Sequence, residues 1–176
     1  CVRYPQMLDD LLRSGDLLRT YLPGEYRDKC LARVNSANSE QTLGAALRHT
    51  ARREKVRIAW RDLAGWADLD ETLRELSWLA DACLDAALQR LQEWLRTEQG
   101  TAHGGDGTPQ HLVVLGMGKL GGSELNFSSD IDLIFTYPED GQADGPRHLS
   151  NQEYFTRLGQ RLINALSDIT AEGFAF

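Results

Sequence analysis

The feature that most constrains the fold is an apolar repeat at helical spacing over residues 70–97. A helix of that length would run about 40 Å, at about 1.5 Å per residue. An apolar stripe this long is stable only when other helices cover it, so the repeat predicts a helical bundle. Asp70 is predicted to cap the helix. The apolar positions are Leu73, Leu76, Ala80, Cys83, Leu84, Ala87, Leu91, Trp94 and Leu95.

Other helical patterns fill the rest of the first hundred residues. Two short helices are predicted over 5–13 and 25–34. A longer helix is predicted from Ser39 to Trp66, with Ser39 as its cap. We therefore assign residues 1–98 to a helical module.

The composition changes after the helical module. Residues 99–110 contain four glycines and a proline, which predicts a flexible connection. Apolar runs at 111–118 and 130–137 predict two strands, the first of them buried. A helix is predicted over 151–167.

The last segment continues this alternation of strands and helices. Ser150 and Glu153 have the spacing of a capping box at the start of the last helix. A third strand is predicted near Gly173. We assign residues 111–176 to the first part of a second module, and the whole chain to the α+β class.

Charge and composition disfavour several classes of function. The formal net charge is −7, which disfavours a nucleic-acid partner, although a bound metal could still attract a free nucleotide. No run of about 18 apolar residues occurs, so no membrane span is expected. Three cysteines without ligand-like spacing suit a reducing, cytoplasmic setting. The chain begins at Cys1 rather than at a methionine, and we expect it to be a fragment of a longer protein.

Two aspartates, Asp130 and Asp132, stand one residue apart at the start of the second predicted strand. Side chains alternate between the faces of a strand, so both carboxylates are expected on one face. Such a pair repels unless a cation lies nearby, and Mg²⁺ binds one or two protein carboxylates together with phosphate oxygens. A lone Asp-x-Asp is more often a solvated strand end, so the neighbouring residues decide between the two interpretations.

The segment between the two predicted strands supplies that context. Lys119 could contact a phosphate as a point charge or lie on the surface. Ser128 and Ser129 could donate hydrogen bonds to phosphate oxygens or hold the turn before the strand. The glycines either let a ligand approach the backbone or simply connect the strands; they are Gly116, Gly118, Gly121 and Gly122.

Two common nucleotide-binding patterns fit poorly. No Walker-type loop occurs, and the dinucleotide fingerprint matched by 116–121 is followed by no helix of convincing length. A basic stretch on the preceding helix favours a solvated, salt-bridged face; the alternative is a surface for an acceptor protein or for phosphates. Its members are Arg48, Arg52, Arg53, Lys55, Arg57 and Arg61.

The segment GMGKLGGSELNFSSDIDLIF, 116–135, resembles the signature of the bifunctional glutamine synthetase adenylyltransferase/adenylyl-removing enzyme family. Residues 52–63, 76–88 and 154–167 are also similar to that family, so the resemblance covers roughly residues 40–176. It implies a polymerase-β-like nucleotidyltransferase mixed sheet, incomplete in this fragment. In such a sheet Asp130 and Asp132 would be catalytic and would bind Mg²⁺.

The resemblance also implies an activity and partners. One half of the family enzyme transfers AMP from ATP to a tyrosine of glutamine synthetase, and the other removes it by phosphorolysis, which gives ADP. The sequence ELNFSSDIDLIF is closer to that of the N-terminal, adenylyl-removing half. A PII signalling protein is an expected partner, and a third acidic ligand is expected beyond residue 176, so this fragment alone need not be active. The residues expected to bind nucleotide or phosphate are Gly118, Lys119, Gly121, Gly122 and Ser129.

Two other classes of function fit the same residues. In a non-catalytic regulatory module, the helices would bind a partner protein and the second module would sense a nucleotide. A nucleotidyltransferase could also act on a different acceptor, such as a small molecule. Turnover separates the first of these from an enzyme.

Overall fold

The computed structural model describes residues 5–170, with side chains described for residues 6–166. Its elements are helix α1 (Pro5–Ser14), a 3-10 turn (Asp16–Leu18), helices α2 (Glu25–Val34), α3 (Glu40–Leu63) and α4 (Leu69–Gln99), strands β1 (Ala102–Gly104) and β2 (Val113–Gly116), the single-turn helix α5 (Gly118–Gly121), strands β3 (Leu133–Thr136) and β4 (Gly141–Ala143), and helix α6 (Asn151–Thr170). Helices followed by small antiparallel sheets make an α+β fold, as predicted. The strand predicted near Gly173 lies outside the described residues.

The two long helices begin at side chains that accept hydrogen bonds from their unpaired N–H groups. The Ser39 hydroxyl accepts from the Thr42 N–H at 3.3 Å, which confirms the predicted cap of α3. The predicted cap of α4 is wrong. Asp68, in extended backbone, accepts from the Glu71 N–H at 2.8 Å, so the helix starts at Leu69 and Asp70 lies in its first turn.

Helix α3 lies at the centre of the bundle that the long repeat predicts. It packs against α2, α4 and α6. Its apolar side chains Leu43, Leu47 and Ile58 are fully buried, as are Leu76 and Leu79 of α4. This contact makes one continuous core, because the apolar stripes of both helices face each other.

The basic stretch of α3 is largely buried, so the predicted helix face is salt-bridged as expected but is not solvated. Arg53, Arg57 and Arg61 expose only 6%, 0% and 3% of their surface. Residues four apart share one face of a helix, and this face meets the 3-10 turn and the start of α4. Buried guanidinium groups need partners, and here they are carboxylates at 2.8 Å: Arg53–Asp16, Arg57–Glu75 and Arg61–Glu71.

Two antiparallel sheets of two strands follow the bundle. β2 pairs with β3, and β1 pairs with β4. The sequence predicts a flexible connection over 99–110, whereas α4 continues to Gln99 and β1 lies within that segment. β2 is also shorter than predicted and partly exposed rather than buried, because only one face of the described hairpin packs against the core.

Helix α6 joins the hairpin to the bundle. Its predicted capping box is confirmed: the Ser150 N–H donates to Glu153 at 3.1 Å, and the Glu153 N–H donates to the Ser150 hydroxyl at 3.3 Å. The helix packs against α3 and α4, and its Gly159 lies opposite the Phe135 ring of β3. No helix within residues 5–170 is long and apolar enough to cross a membrane.

Candidate active site

The two aspartates lie directly before β3 rather than on it. The strand begins at Leu133, but the ladder continues one residue further, because the Met117 N–H donates to the Asp132 carbonyl at 2.9 Å. Exposure alternates along this segment: Asp130, Asp132 and Ile134 are exposed, while Ile131 and Leu133 between them pack against the core. Both carboxylates therefore project from the exposed side of the hairpin, as the predicted alternation requires.

Neither carboxylate has a protein partner among the described side chains. No hydrogen bond or ion pair within residues 6–166 reaches the side-chain oxygens of Asp130 or Asp132. Two neighbouring anions without a cation repel each other. Exposed, unpaired carboxylate oxygens are ligands that suit Mg²⁺, which keeps several waters and phosphate oxygens in its coordination sphere. The donor set thus fits a hard divalent cation. In the described part of the chain, no three His, Cys, Asp or Glu side chains form a metal-binding group.

The glycines bring the connection after β2 close to the strand end. Gly118 adopts a left-handed conformation with φ 55°, which costs a side chain about 1 kcal/mol or more. A Cβ on Gly121 would lie 2.5 Å from the Gly116 carbonyl oxygen, closer than atoms can pack. Helix α5 has only four residues, which agrees with the poor fit to a dinucleotide fingerprint. A side chain at Gly121 would therefore push the turn away from the hairpin, whereas one at Gly118 would strain the backbone without meeting a neighbour.

Lys119 contacts Ser129, the residue before Asp130. The Lys119 ammonium donates to the Ser129 hydroxyl at 3.3 Å, which joins α5 to the residue before Asp130. Ser129 is only 7% exposed, whereas Ser128 is exposed and donates to Asn126 instead. The structure therefore brings Lys119 and Ser129 into contact, and Ser129 is the residue before Asp130 in the chain.

Two residues that sequence reasoning missed support this segment. The Asn126 side-chain oxygen accepts from the Ser128 N–H at 3.1 Å and from the Ser129 hydroxyl at 2.7 Å. The Leu125 N–H donates to the Ser77 hydroxyl of α4 at 3.1 Å. An asparagine two residues before a serine is a local signal for such a turn, but nothing in the sequence around Ser77 indicates a contact 48 residues away.

A separate cleft lies on the other side of the hairpin. It has a volume of about 270 Å³ and lies between β3 and α6. Its wall includes Phe135 and Tyr137, which alternate with the exposed residues of β3, and the Tyr137 ring stacks on Phe155 at 5.1 Å. The aspartates do not face this cleft, because successive side chains of a strand point to opposite faces.

Comparison with known proteins shows which family the chain resembles. The family model described as glutamate-ammonia ligase adenylyltransferase matches residues 1–176. The chain is 53% identical over 178 aligned residues to the bifunctional glutamine synthetase adenylyltransferase/adenylyl-removing enzyme of Nitrosococcus oceani, which covers 100% of the chain. Identity to the protein of the same name from Pseudomonas putida is 53% over 99% of the chain. The chain spans 18% of the length of each of these curated relatives.

Proposed function

The chain belongs to the glutamate-ammonia ligase adenylyltransferase family, and from that membership we propose that it carries part of a Mg²⁺-dependent nucleotidyltransferase site acting on glutamine synthetase. The observation that supports the proposal most directly is the pair of exposed, unpaired carboxylates beside a glycine-rich turn. The proposed reaction is phosphorolysis of adenylyl-tyrosine to ADP and unmodified glutamine synthetase, in the cytoplasm, with the balance of activities controlled by a PII protein.

The reaction divides into tasks for named groups. Asp130 and Asp132 would hold Mg²⁺, which when bound neutralises charge on phosphate oxygens. Lys119 would contact a phosphate, and the turn over Gly118, Gly121 and Gly122 would let phosphate oxygens approach backbone N–H groups. An oxygen of inorganic phosphate attacks the adenylyl phosphorus, and the P–O bond to tyrosine breaks. The electron pair leaves on the phenolic oxygen, which then takes a proton from water.

The protein's contribution in this proposal is positioning and charge. Phosphoryl-type transfer requires little covalent chemistry from side chains. Groups fixed before the reaction stabilise developing charge without reorganising. The assignment to the adenylyl-removing half depends on the sequence of residues 124–135 and is part of the proposal.

The test uses the full-length protein with adenylylated glutamine synthetase, phosphate and Mg²⁺. Asp130→Asn and Asp132→Asn should each reduce ADP formation at least 100-fold, because each removes one charge from the metal site. Asp140→Asn is the matched control: this exposed aspartate, after β3, accepts from the Tyr137 hydroxyl at 2.9 Å, and asparagine retains that acceptor. It should leave activity unchanged.

Three outcomes would contradict parts of the proposal. Undiminished phosphorolysis by Asp130→Asn would exclude the aspartate pair as the catalytic metal site. Loss of AMP transfer from ATP, with phosphorolysis intact, would assign the chain to the other half. Mg²⁺-dependent nucleotide binding that depends on Asp130, without any change in turnover, would support a nucleotide-sensing module instead.

A further inference from the structure

We infer that Ser129 is a positioning residue that orients the Lys119 ammonium toward phosphate, and that Ser129 does not itself bind the phosphate. The inference rests on the proposed function, because it assigns Lys119 to the phosphate of that reaction. It replaces the direct phosphate contact that the sequence suggests for Ser129.

The hydrogen-bonding capacity of the Ser129 hydroxyl is used up inside the protein. A serine hydroxyl has one donor and two acceptor positions. Its hydrogen goes to the Asn126 side-chain oxygen at 2.7 Å, and its oxygen accepts from the Lys119 ammonium and from the Asn126 N–H, both at 3.3 Å. Phosphate oxygens can only accept from a hydroxyl, and this one has no hydrogen left to donate.

Lys119 keeps the capacity that Ser129 lacks. An ammonium group has three donors, and Ser129 occupies one of them. The side chain is exposed, and no carboxylate within residues 6–166 lies within salt-bridge distance of it. A lysine side chain is otherwise free to adopt many rotamers. Ser129 directly precedes Asp130 in the chain, so this hydrogen bond ties the Lys119 side chain to the segment that carries the carboxylate pair.

Asn126 determines which way the Ser129 hydroxyl points. Its side-chain oxygen also accepts from the N–H and the hydroxyl of Ser128, both at 3.1 Å. The hydrogen bonds therefore run in one direction, from Lys119 through Ser129 to Asn126, and bonds in such a chain polarise one another. Ser128 shares the Asn126 oxygen but does not contact Lys119, so the chain offers a matched comparison next to the residue tested.

The experiment measures phosphorolysis kinetics of the full-length protein with inorganic phosphate as the varied substrate. Ser129→Ala should raise KM for phosphate about tenfold or more, with kcat within about threefold, because a contact made equally in the ground and transition states affects KM. Ser128→Ala should stay within about twofold of wild type. Ser129→Thr, which keeps the hydroxyl, should restore most of the loss.

A double variant shows whether Ser129 acts through Lys119. Ser129→Ala combined with Lys119→Ala should be no worse than Lys119→Ala alone, because interacting residues are not additive. If the alanine variant fails to fold, Ser129→Cys tests the same point, since a thiol keeps the shape but is a weak donor and acceptor. An unchanged KM, a loss confined to kcat, or additive effects would overturn the inference. The activity of Asp130→Asn separates this inference from the proposed function. An active Asp130→Asn variant would refute the proposed function, whereas the outcomes above concern Ser129 alone.

Discussion

Replacing Arg57 by methionine removes the cation at the centre of the buried polar network of α3. Its guanidinium donates to the Asp16 carbonyl at 2.9 Å, to the Tyr26 hydroxyl at 3.2 Å and to Glu75 at 2.8 Å, and it also donates to the Arg19 carbonyl. The Arg57 and Glu75 side chains are 0% and 1% exposed. Methionine has similar length but no donor, so the substitution leaves the Glu75 carboxylate without a cation and removes a donor from three other acceptors inside the bundle.

The expected cost follows from this stranded charge. Breaking a buried ion pair by removing one partner costs about 3–5 kcal/mol. Since about 1.4 kcal/mol is a factor of ten in an equilibrium constant, amides of α3 should exchange about two to three and a half orders of magnitude faster. Neutralising the carboxylate in Arg57→Met/Glu75→Gln should recover at least about one order of magnitude, because a neutral amide costs less to bury than a charge.

Hydrogen–deuterium exchange of the full-length protein, read on peptides from α3 and α4, measures the effect where it arises. Arg13→Met is the control, because the Arg13–Asp9 pair is 80% and 60% exposed and exposed pairs contribute about 0–1 kcal/mol. Exchange accelerated less than tenfold by Arg57→Met would refute the reasoning. So would a double variant that is no more protected than the single one, because the stranded carboxylate would then not be the cause.

Three further perturbations test other parts of the structure. Burial lowers the pKa of Lys55 from 10.5 to about 8. Between these pH values the unfolded chain binds more protons than the folded one, so wild-type stability should rise with pH across that range. The rise in urea-unfolding free energy should be smaller in Lys55→Met, and an equal rise would contradict the assignment. Gly121→Ala should abolish phosphorolysis by forcing the turn away from β2. Gly118 has open space but a strained φ, so Gly118→Ala should cost only about 1 kcal/mol of local exchange protection. Equal activity of the two variants would argue against the close approach of Gly121 to the Gly116 carbonyl. Asp68→Ala should destabilise α4 by about 1 kcal/mol, measured by amide exchange, and Asp70→Ala should destabilise it by less. The reverse order would support Asp70 as the cap, as the sequence predicts.

Much of the helical part could be predicted from sequence because its signals are local. The boundaries of α2 match the prediction, and α3 begins at its predicted cap, since apolar spacing and a capping serine lie within a few residues of each other. The alternation at Asp130 and Asp132 is likewise set by neighbouring residues. The polymerase-β-like sheet, the domain boundaries and the roles of the site residues stay predictions.

The features that were missed depend on residues far apart in the chain. β1 lies in a glycine-rich segment with weak strand signals, and it forms because Ala102 pairs with Ala143, which lies 41 residues later. The arginines of α3 have the spacing of a solvated face. They are stable when buried only because carboxylates of the 3-10 turn and of α4 pair with them. No window of sequence contains both partners of such a contact.

By itself, the sequence determined the helices, the exposed alternation of the two aspartates and the family of the chain, because these depend on periodicity and on residue identity at fixed spacing. Only the tertiary structure decided that Ser129 is buried against Lys119 and Asn126, and that Ser77 of α4 supports the same loop. The physical reason is that burial and hydrogen-bond saturation are properties of packed neighbours. A serine hydroxyl free to bind phosphate and one already satisfied are identical until the chain has folded around them.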